Sequence, residues 1–571
     1  MYEYTAFDKQ FVKQRAAQFR DQLQRNLAGT LGDDEFRPLR LQNGWYIQRH
    51  APMLRVAVPY GELSSAQLRG LARIAREYDR GYAHLTTRQN VQFNWIPLAR
   101  SADVMDVLAA VHMHGIQTSG NCIRNITSDC FAGIAPDEAV DPRPYCEILR
   151  QWTTLHPEFA FLPRKFKIAV TGAREDRAST GWHDIGLHVL KNAAGEVGFK
   201  VLVGGGMGRT PVIGSVAAEF LPWQQLLVFI EAIVRVYNRY GRRDNLYKAR
   251  IKILVKAEGQ KFFDAVQAEF RNILERDVDG AAQLITQAEF DRVASCFQTP
   301  AGLKIALATS TENDVPLVAD APVAYTRWLE RNVHGHRLPG YRAVTLSLKR
   351  AGQAPGDATA EQMEQAAALA DTYSHGELRV SHDQNFVLPW VLAADLPALW
   401  QAARAASYAT PNIGFLTDMI ACPGGDFCAL ANARSIPVAA AITERFDDLD
   451  ELHDIGDIDL HISGCINSCG HHHSGHIGIL GVDKDGKEWY QVSLGGSDGS
   501  TISGGSVPGK VIGPSFAAEE VADVIEAVIA TYRGQRAPSE RFIDTVRRVG
   551  LDPFKSAANA VRRATAQAET A

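Results

Sequence analysis

Two stretches far apart in the chain share one alternation of apolar and polar residues. The first covers residues 81–93 and the second covers residues 376–388, and both show the period of two that is typical of a β-strand. Each follows an Ala-rich segment with helical spacing, Ser65–Tyr78 in the first half and Ala360–Tyr373 in the second. The pattern therefore predicts a helix and then a strand in each half. Further helices are predicted over residues 219–240, 263–275 and 516–532.

The similarity between the two halves extends beyond one strand. Gln89-Asn90 aligns with Gln384-Asn385 at an offset of 295 residues (384 − 89), and residues 184–187 resemble residues 476–479 at an offset of 292 (476 − 184). A steady offset over residues 81–205 indicates duplication of a large unit with mixed helices and strands. Chance similarity between short strands is the alternative.

Composition narrows the class of protein. The chain has 571 residues, 46% of them hydrophobic, and a net charge of −5, which is typical of a globular protein and not of a nucleic-acid binder. The first fifteen residues carry charges throughout and lack the apolar region of a signal peptide. No apolar run reaches the length of about 18 residues that a membrane span needs. We therefore expect a cytoplasmic protein that binds neither nucleic acid nor membrane.

The strongest chemical signal is a group of four cysteines. Cys422 and Cys428 form a C-x5-C pair, and Cys465 and Cys469 form a C-x3-C pair. Two such loops can supply the four thiolates of an iron–sulfur cube, and the neighbouring glycines allow close backbone approach. A zinc site with four cysteines is an alternative, although zinc sites favour shorter spacings. Unconnected buried thiols are another. The C-x2-C-x2-C run of a simple electron carrier is absent.

Both the spacing and the segment Gly464-Cys-Ile-Asn-Ser-Cys-Gly470 resemble the siroheme-dependent sulfite and nitrite reductases. The resemblance covers roughly residues 40 to 535 and includes the duplication. It implies a [4Fe–4S] cluster on the four cysteines, with Cys469 also bridging to the siroheme iron and Asn467 beside it. Many members have proline where this chain has Ile466, a position that binds no metal.

The resemblance implies an α+β (mixed α/β) fold with pseudo-twofold symmetry and four domains. These are a ferredoxin-like half-domain at 1–120, a siroheme- and substrate-binding α/β domain at 121–335, a second ferredoxin-like half-domain at 336–412, and an iron–sulfur and siroheme-binding domain at 413–571. The siroheme would lie where the two halves meet.

Basic residues in apolar or strand-like surroundings form a second signal. Siroheme carboxylates and small oxyanions need Arg and Lys, since a buried negative charge without partners is costly. The resemblance assigns anion binding to Arg55 and Arg124, and anion binding with proton supply to Lys165 and Lys167. Spacing by two places both lysines on one face of a strand, where burial and neighbouring cations would lower the pKa of each amine. A solvated strand face is the alternative for any one of them.

Three more residues are expected to contact the siroheme, namely Arg88, Gln92 and Lys248. The second copy has Asp383 where the first has Arg88, which favours one site shared by two halves over two sites. Four histidines follow the last cysteine (His471, His472, His473 and His476), and we interpret them as pocket or surface residues rather than as a second metal site.

The resemblance implies an oxidoreductase of sulfur assimilation. It would reduce sulfite to sulfide with six electrons, and the complete Arg and Lys set favours this substrate. Reduction of nitrite to ammonia is the alternative, and a non-catalytic iron–sulfur or zinc protein is a more distant one. Because the chain lacks an FAD or NADPH fingerprint, its donor would be a ferredoxin or a flavoprotein that uses NADPH.

Overall fold

The computed structural model describes residues 1–276, 283–300, 303, 322–500 and 502–568. The strands are β1 Trp45–Ile47, β2 Pro52–Val56, β3 Glu62–Ser64, β4 Tyr82–Leu85, β5 Val91–Phe93, β6 Thr127–Ser128, β7 Ile168–Thr171, β8 Ile185–Lys191, β9 Val197–Val203, β10 Ser215–Pro222, β11 Val333–His334, β12 Tyr341–Leu346, β13 Asp357–Thr359, β14 Glu377–Val380, β15 Phe386–Leu392, β16 Ile420–Ala421, β17 Leu460–Ser463, β18 Ile477–Lys484, β19 Lys487–Leu494, β20 Lys510–Val511 and β21 Phe516–Ala517. The helices are α1 Ala6–Leu27, α2 Asp33–Gln42, α3 Ser65–Tyr78, α4 Ser101–Ala110, α5 Arg143–Thr153, α6 Leu226–Tyr240, α7 Ile251–Glu258, α8 Gln260–Arg276, α9 Gln287–Ala294, α10 Val323–Asn332, α11 Ala360–Tyr373, α12 Leu396–Ala405, α13 Ile436–Arg445, α14 Leu449–Ile455, α15 Val521–Gln535, α16 Phe542–Val549 and α17 Asp552–Ala568.

The mixed α/β fold and its internal duplication are confirmed by two pairs of matching sheets. One pair has the orders β1-β2-β5-β4-β13 and β11-β12-β15-β14-β3, and the other has β10-β9-β8-β7-β6 and β16-β17-β18-β19-β20. In the second pair, β6-β7-β8 and β16-β17-β18 are parallel, whereas the remaining neighbours are antiparallel.

The first two sheets exchange short strands. β3 of the first half pairs with β14, and β13 of the second half pairs with β4. Each exchanged strand ends in a helix cap, where Ser64 accepts from the amide of Gln67 and Thr359 accepts from that of Gln362. These capping boxes start α3 and α11 at the predicted residues. The two helices share one apolar core, which joins the two halves.

The two similar 13-residue stretches each form a hairpin and not one strand. A turn separates β4 from β5 and another separates β14 from β15, with Gln89 at φ 57° and Gln384 at φ 60°. Gln89 donates to the carbonyl of Val380 in the other half, and Gln384 donates to that of Leu85. The repeated glutamine is therefore a symmetric link between the halves.

Three predicted helix boundaries were less accurate. The helix predicted over 219–240 begins at Leu226, because the residues up to Pro222 pair with β9. The helix predicted over 516–532 begins at Val521, since Phe516–Ala517 pairs with β19. The third, α8, extends slightly beyond 263–275 at both ends. Among the described residues, no helix has both the length and the apolar character needed to span a membrane.

Candidate active site

Two neighbouring strands carry the cysteine loops. Cys422 directly follows β16, and Cys465 lies two residues beyond β17. Because β16 and β17 are parallel, their carboxyl ends lie at the same edge of the sheet. Cys428 and Cys469 complete the two loops, and all four cysteines line a single cavity at that edge. The structure thus brings together the four thiols singled out by their spacing.

Glycines allow the two cysteine loops to approach closely, as the sequence predicts. A Cβ on Gly464 would lie 2.5 Å from the carbonyl oxygen of Ala433, and one on Gly470 would lie 1.9 Å from that of Ile462. The Gly464 amide donates to the sulfur of Cys422 over 3.3 Å. Asn467 donates to the sulfur of Cys465 over 3.6 Å. The loops therefore supply hydrogen-bond donors to the sulfurs. A side chain at Gly464 or Gly470 would push the loops apart and displace these donors.

The thiols affect one another electrostatically. Burial and the charge of Cys469 together raise the pKa of Cys422 to about 12. Burial also raises the pKa of Cys428 and of Cys465, and Cys469 contributes to both shifts. Thiolates at these positions therefore need a nearby positive group, which a bound iron cluster would supply.

The first half lines the same cavity with cations. These cations are Arg55, Arg88, Arg124, Lys165 and Lys167. None of the described residues that line the cavity is Asp or Glu, and within the described part of the chain none of these five forms an ion pair with a carboxylate. Such a concentration of like charge is stable only opposite anions.

Lys165 and Lys167 come just before β7, in an extended segment. Both line the cavity, whereas Phe166 between them is fully buried in the core, so the predicted alternation holds. Burial lowers the pKa of Lys165 to about 8, with the charge of Cys469 opposing this shift. Burial, Arg88 and Lys165 together lower the pKa of Lys167 well below its ordinary value. Both amines can therefore release protons more readily than an ordinary lysine.

The three arginines are held in place by neutral oxygens. Arg55 on β2 donates to the side chain of Gln92 over 2.9 Å. Arg124 donates to the carbonyls of Thr118 and Gly120, and Arg88 donates to that of Asn125. The Nε of Arg55 is buried without a hydrogen-bond partner. These arginines keep their charge available to a ligand.

Of the residues that the resemblance links to the siroheme, Arg88, Gln92 and Asn467 line the cavity with Cys469. Lys248 does not, and its side chain is exposed. Arg250, two residues further on, instead forms an ion pair with the buried Asp184.

Sequence reasoning missed Thr87, one of the residues that join the cation-bearing half to the Cys469 loop. Its hydroxyl donates to the carbonyl of Cys469 over 2.8 Å. No pattern in the sequence relates Thr87 to a cysteine 382 residues away.

The second half carries the opposite charge at positions equivalent to the lysines. Residue 168 begins β7 and pairs with residue 185, as residue 460 begins β17 and pairs with residue 477. On this register, Asp457 and Asp459 correspond to Lys165 and Lys167. The equivalence extends to hydrogen bonds, since the Lys167 amide donates to Asp184 and the Asp459 amide donates to His476.

Asp383 adds to this reversal, since it occupies the position of Arg88. Burial, together with the charges of Asp418 and Asp459, raises its pKa to about 7. Three positions that are cationic in the first half are therefore acidic in the second. Only one of the two related positions can accept a polyanion.

The histidines after Cys469 are enclosed. His471 lines the cavity, His472 is buried, and His473 contacts the carbonyl of Gly208 at 2.9 Å. In the part of the chain that the structure describes, no three His, Cys, Asp or Glu side chains are arranged to hold a single metal ion.

The residues present fit an iron–sulfur cluster and a siroheme. Four thiols on two loops suit the cluster, and they share a cavity with five cations and with the unpartnered Nε of Arg55. A cofactor with many carboxylates would neutralise those cations.

Two family models account for most of the chain. The model of the nitrite and sulphite reductase 4Fe-4S domain matches residues 119–274 and 415–563. The model of the nitrite/sulfite reductase ferredoxin-like half domain matches residues 46–111 and 339–406. Each model matches once in each half, in agreement with the duplicated sheets.

Individual relatives and a solved structure agree with the matches to these two family models. The chain is 28% identical to the chloroplastic ferredoxin–nitrite reductase of Arabidopsis thaliana, over 78% of this chain and 71% of the relative. It is also 28% identical to sulfite reductase [ferredoxin] 1 of Mycolicibacterium paratuberculosis, over 86% and 81%. The solved structure of Mycobacterium tuberculosis NirA has the same fold, with a TM-score of 0.75 at 23% identity, over 96% of this chain and 97% of that one. The chain therefore belongs to the nitrite and sulphite reductase family of oxidoreductases, which carry a siroheme and a [4Fe–4S] cluster.

Proposed function

We propose that the chain reduces sulfite to sulfide with electrons from a ferredoxin. The observation that carries the proposal is the cavity itself, in which four thiols face five cations without a carboxylate among the described lining residues. The two arginines and two lysines assigned to the substrate, Arg55, Arg124, Lys165 and Lys167, all line this cavity. Nitrite remains the second candidate, because relatives with that named substrate are equally similar to this chain.

When bound, the siroheme and the cluster would supply six electrons to the substrate. The protein must supply the charge and the protons. Sulfite takes up six electrons and seven protons to give hydrosulfide and three waters, so protons must reach oxygen atoms as S–O bonds break. We assign this delivery to the Nζ atoms of Lys165 and Lys167, whose lowered pKa values suit a proton donor near neutral pH.

The roles of the other cavity residues follow from where each one lies. Arg55 and Arg124 would hold the oxyanion, since each presents a guanidinium that is not paired with a carboxylate among the described residues. Arg88 and Gln92 would contact siroheme carboxylates, with Asn467 near the cluster. The four cysteines would hold the cluster, and the resemblance assigns Cys469 to the siroheme as well. Exposed Lys248 is left out of this set.

A ferredoxin is the donor that the relatives favour. The names of the Arabidopsis, Mycolicibacterium and Synechococcus elongatus relatives all include ferredoxin. The chain itself has no FAD or NADPH fingerprint, so it needs a separate donor. Sulfite reduction supplied by ferredoxin would place the protein in sulfur assimilation.

The test compares kcat/KM for sulfite and for nitrite, with reduced ferredoxin and with a reduced dye as donors. We expect kcat/KM for sulfite to exceed that for nitrite by at least about tenfold, a difference of about 1.4 kcal/mol in transition-state binding. A preference for nitrite would overturn the substrate assignment. Turnover with the dye but not with ferredoxin would overturn the donor.

A pair of variants tests the lysine assignment. Lys165→Met should lower kcat by about 100-fold while the siroheme spectrum stays, which is within the range for loss of a general acid. Lys484→Met, an exposed lysine on β18, is the matched control and should leave kcat unchanged. Loss of siroheme from Lys165→Met would instead place Lys165 among the cofactor-binding residues.

A further inference from the structure

His382 lies in the turn between β14 and β15 and reaches into the other half of the molecule. The ring is buried, with Nδ1 at 2.9 Å from the carbonyl oxygen of Thr87 and Nε2 at 3.1 Å from that of Ser128. Both partners belong to the first half and can only accept hydrogen bonds. A histidine of one half is thus placed between two backbone segments of the other.

The contact has a particular place in the duplication. His382 corresponds to Thr87 itself, at the same offset of 295 residues (382 − 87) that relates Gln384 to Gln89. The two equivalent turns therefore meet where the halves join. The first-half turn bears Arg88, and the second-half turn bears the histidine that fixes it.

A neutral imidazole carries one N–H and can satisfy only one of the two carbonyls. Burial lowers the pKa of His382, and the nearby Arg88 lowers it further. The neutral ring is therefore favoured, and the Thr87 contact is the shorter of the two. We assign the proton to Nδ1, from which it is donated to Thr87.

The segment that His382 holds leads directly to the cysteine loop. The hydroxyl of Thr87 donates to the carbonyl of Cys469 over 2.8 Å. The next residue, Arg88, lines the cavity. A displacement of the turn would thus move a cavity cation and remove a hydrogen bond from the Cys469 loop at once.

We propose that His382 is a positioning residue for the reaction, which acts through Thr87 to set the Cys469 loop and the Arg88 guanidinium against each other. This inference rests on the family's cofactors and on the role proposed for Cys469. It does not depend on which oxyanion is the substrate. His382 itself does not line the cavity, so its effect is transmitted and not direct.

Two isosteric variants separate the two contacts. Asparagine places an amide nitrogen where histidine has Nδ1, so His382→Asn retains the donor to Thr87. Glutamine places its amide nitrogen near the position of Nε2, so His382→Gln retains only the contact with Ser128. The experiment uses the cofactor-loaded enzyme with a dye donor, and records kcat, KM, siroheme content and the EPR spectrum of the siroheme iron.

We expect His382→Gln to lower kcat by about tenfold with little change in KM and to alter the EPR spectrum, since small misplacements near reacting groups have large effects on rate. His382→Asn should have the kcat and the EPR spectrum of the unmodified enzyme. Thr87→Val should reproduce the effect of His382→Gln, and the double variant should lose little more than either single variant, as expected for residues that act in one chain.

His334→Asn is the matched control, because His334 is a half-buried histidine outside the cavity lining. Its kcat and EPR spectrum should equal those of the unmodified enzyme. Equal losses in His382→Asn and His382→Gln, or fully additive effects with Thr87→Val, would overturn the proposal. Thermal unfolding of the cofactor-free variants gives a further readout, because a merely structural role would lower Tm in both variants alike. If the proposed function fails, the unmodified enzyme will prefer nitrite or turn over neither anion, and in either case the EPR comparison still tests His382.

Discussion

Replacement of Lys165 by methionine should stabilise the cofactor-free protein. The amine of Lys165 has a pKa lowered to about 8 by burial and by the neighbouring Arg124 and Arg250, against an ordinary value of about 10.4. At 1.36 kcal/mol for each pKa unit, the full difference corresponds to about 3 kcal/mol. Solvent that enters the cavity screens part of this charge, so we expect about 1–3 kcal/mol.

Proton binding by the folded and unfolded chains determines how stability changes with pH. Between pH 8 and the ordinary lysine pKa, the unfolded chain binds more protons than the folded one, so this residue makes stability rise with pH in that window. Below pH 8, the penalty of holding a charged amine in the folded state is complete. Lys165→Met keeps an unbranched side chain and removes the penalty. Its advantage over the unmodified protein should therefore be largest at pH 7 and should vanish by about pH 10.4.

The assay is urea unfolding of protein made in a host without siroheme, followed by tryptophan fluorescence at pH 7 and at pH 10. Lys191→Met, at the exposed end of β8, should behave like the unmodified protein at both values, because this side chain is exposed. A Lys165→Met variant that is less stable at pH 7, or whose advantage is the same at both pH values, would refute the reasoning. Loading with siroheme should reverse the order, since the bound anions then favour the charged amine.

Three further expectations concern the cysteine loop and the link between the halves. Cys469→Ser should lose both the siroheme bands and the iron–sulfur absorption, and an unchanged spectrum would contradict the bridging role. Gly470→Ala should fail to bind the cluster, because its Cβ would lie 1.9 Å from a buried carbonyl oxygen; iron content measures this. Gln384→Leu should cost about 3 kcal/mol, since it leaves the carbonyl of Leu85 and both the amide and the carbonyl of Ala421 without their partner. Urea unfolding would measure the loss, and a cost below about 1 kcal/mol would contradict it.

The sequence predicted which residues form the site better than it predicted the contacts that hold them in place. Cysteine spacing, paired lysines and buried arginines are local patterns, and each side chain reaches the cavity from the element that bears it. The repeat of Gln89 and Gln384 was also visible. The role of these glutamines could not be predicted, because each side chain donates a hydrogen bond to a carbonyl in the opposite half.

Features that depend on distant pairing were missed. The exchanged strands β3 and β13 have three residues each, and no hydrophobic period is detectable over such a length. Thr87 and His382 act through contacts across more than 290 residues of sequence. Lys248 resembled a site residue by its segment alone, but that segment exposes it and turns Arg250 inwards instead.

The duplication also explains why one chain needs both halves for one site. A polyanionic cofactor placed beside Asp383, Asp457 and Asp459 would face carboxylates where the related position offers Arg88, Lys165 and Lys167. At 4 Å, two like charges near a protein surface repel by about 4 kcal/mol, so ionised Asp383 and Asp459 would disfavour such a ligand, whereas Asp457 is paired with Arg331. The acidic half contributes the thiolates instead. Since the cations and the thiolates come from different halves, the contacts between the halves set the distance between them, and a change at that junction should alter the reaction without touching either set.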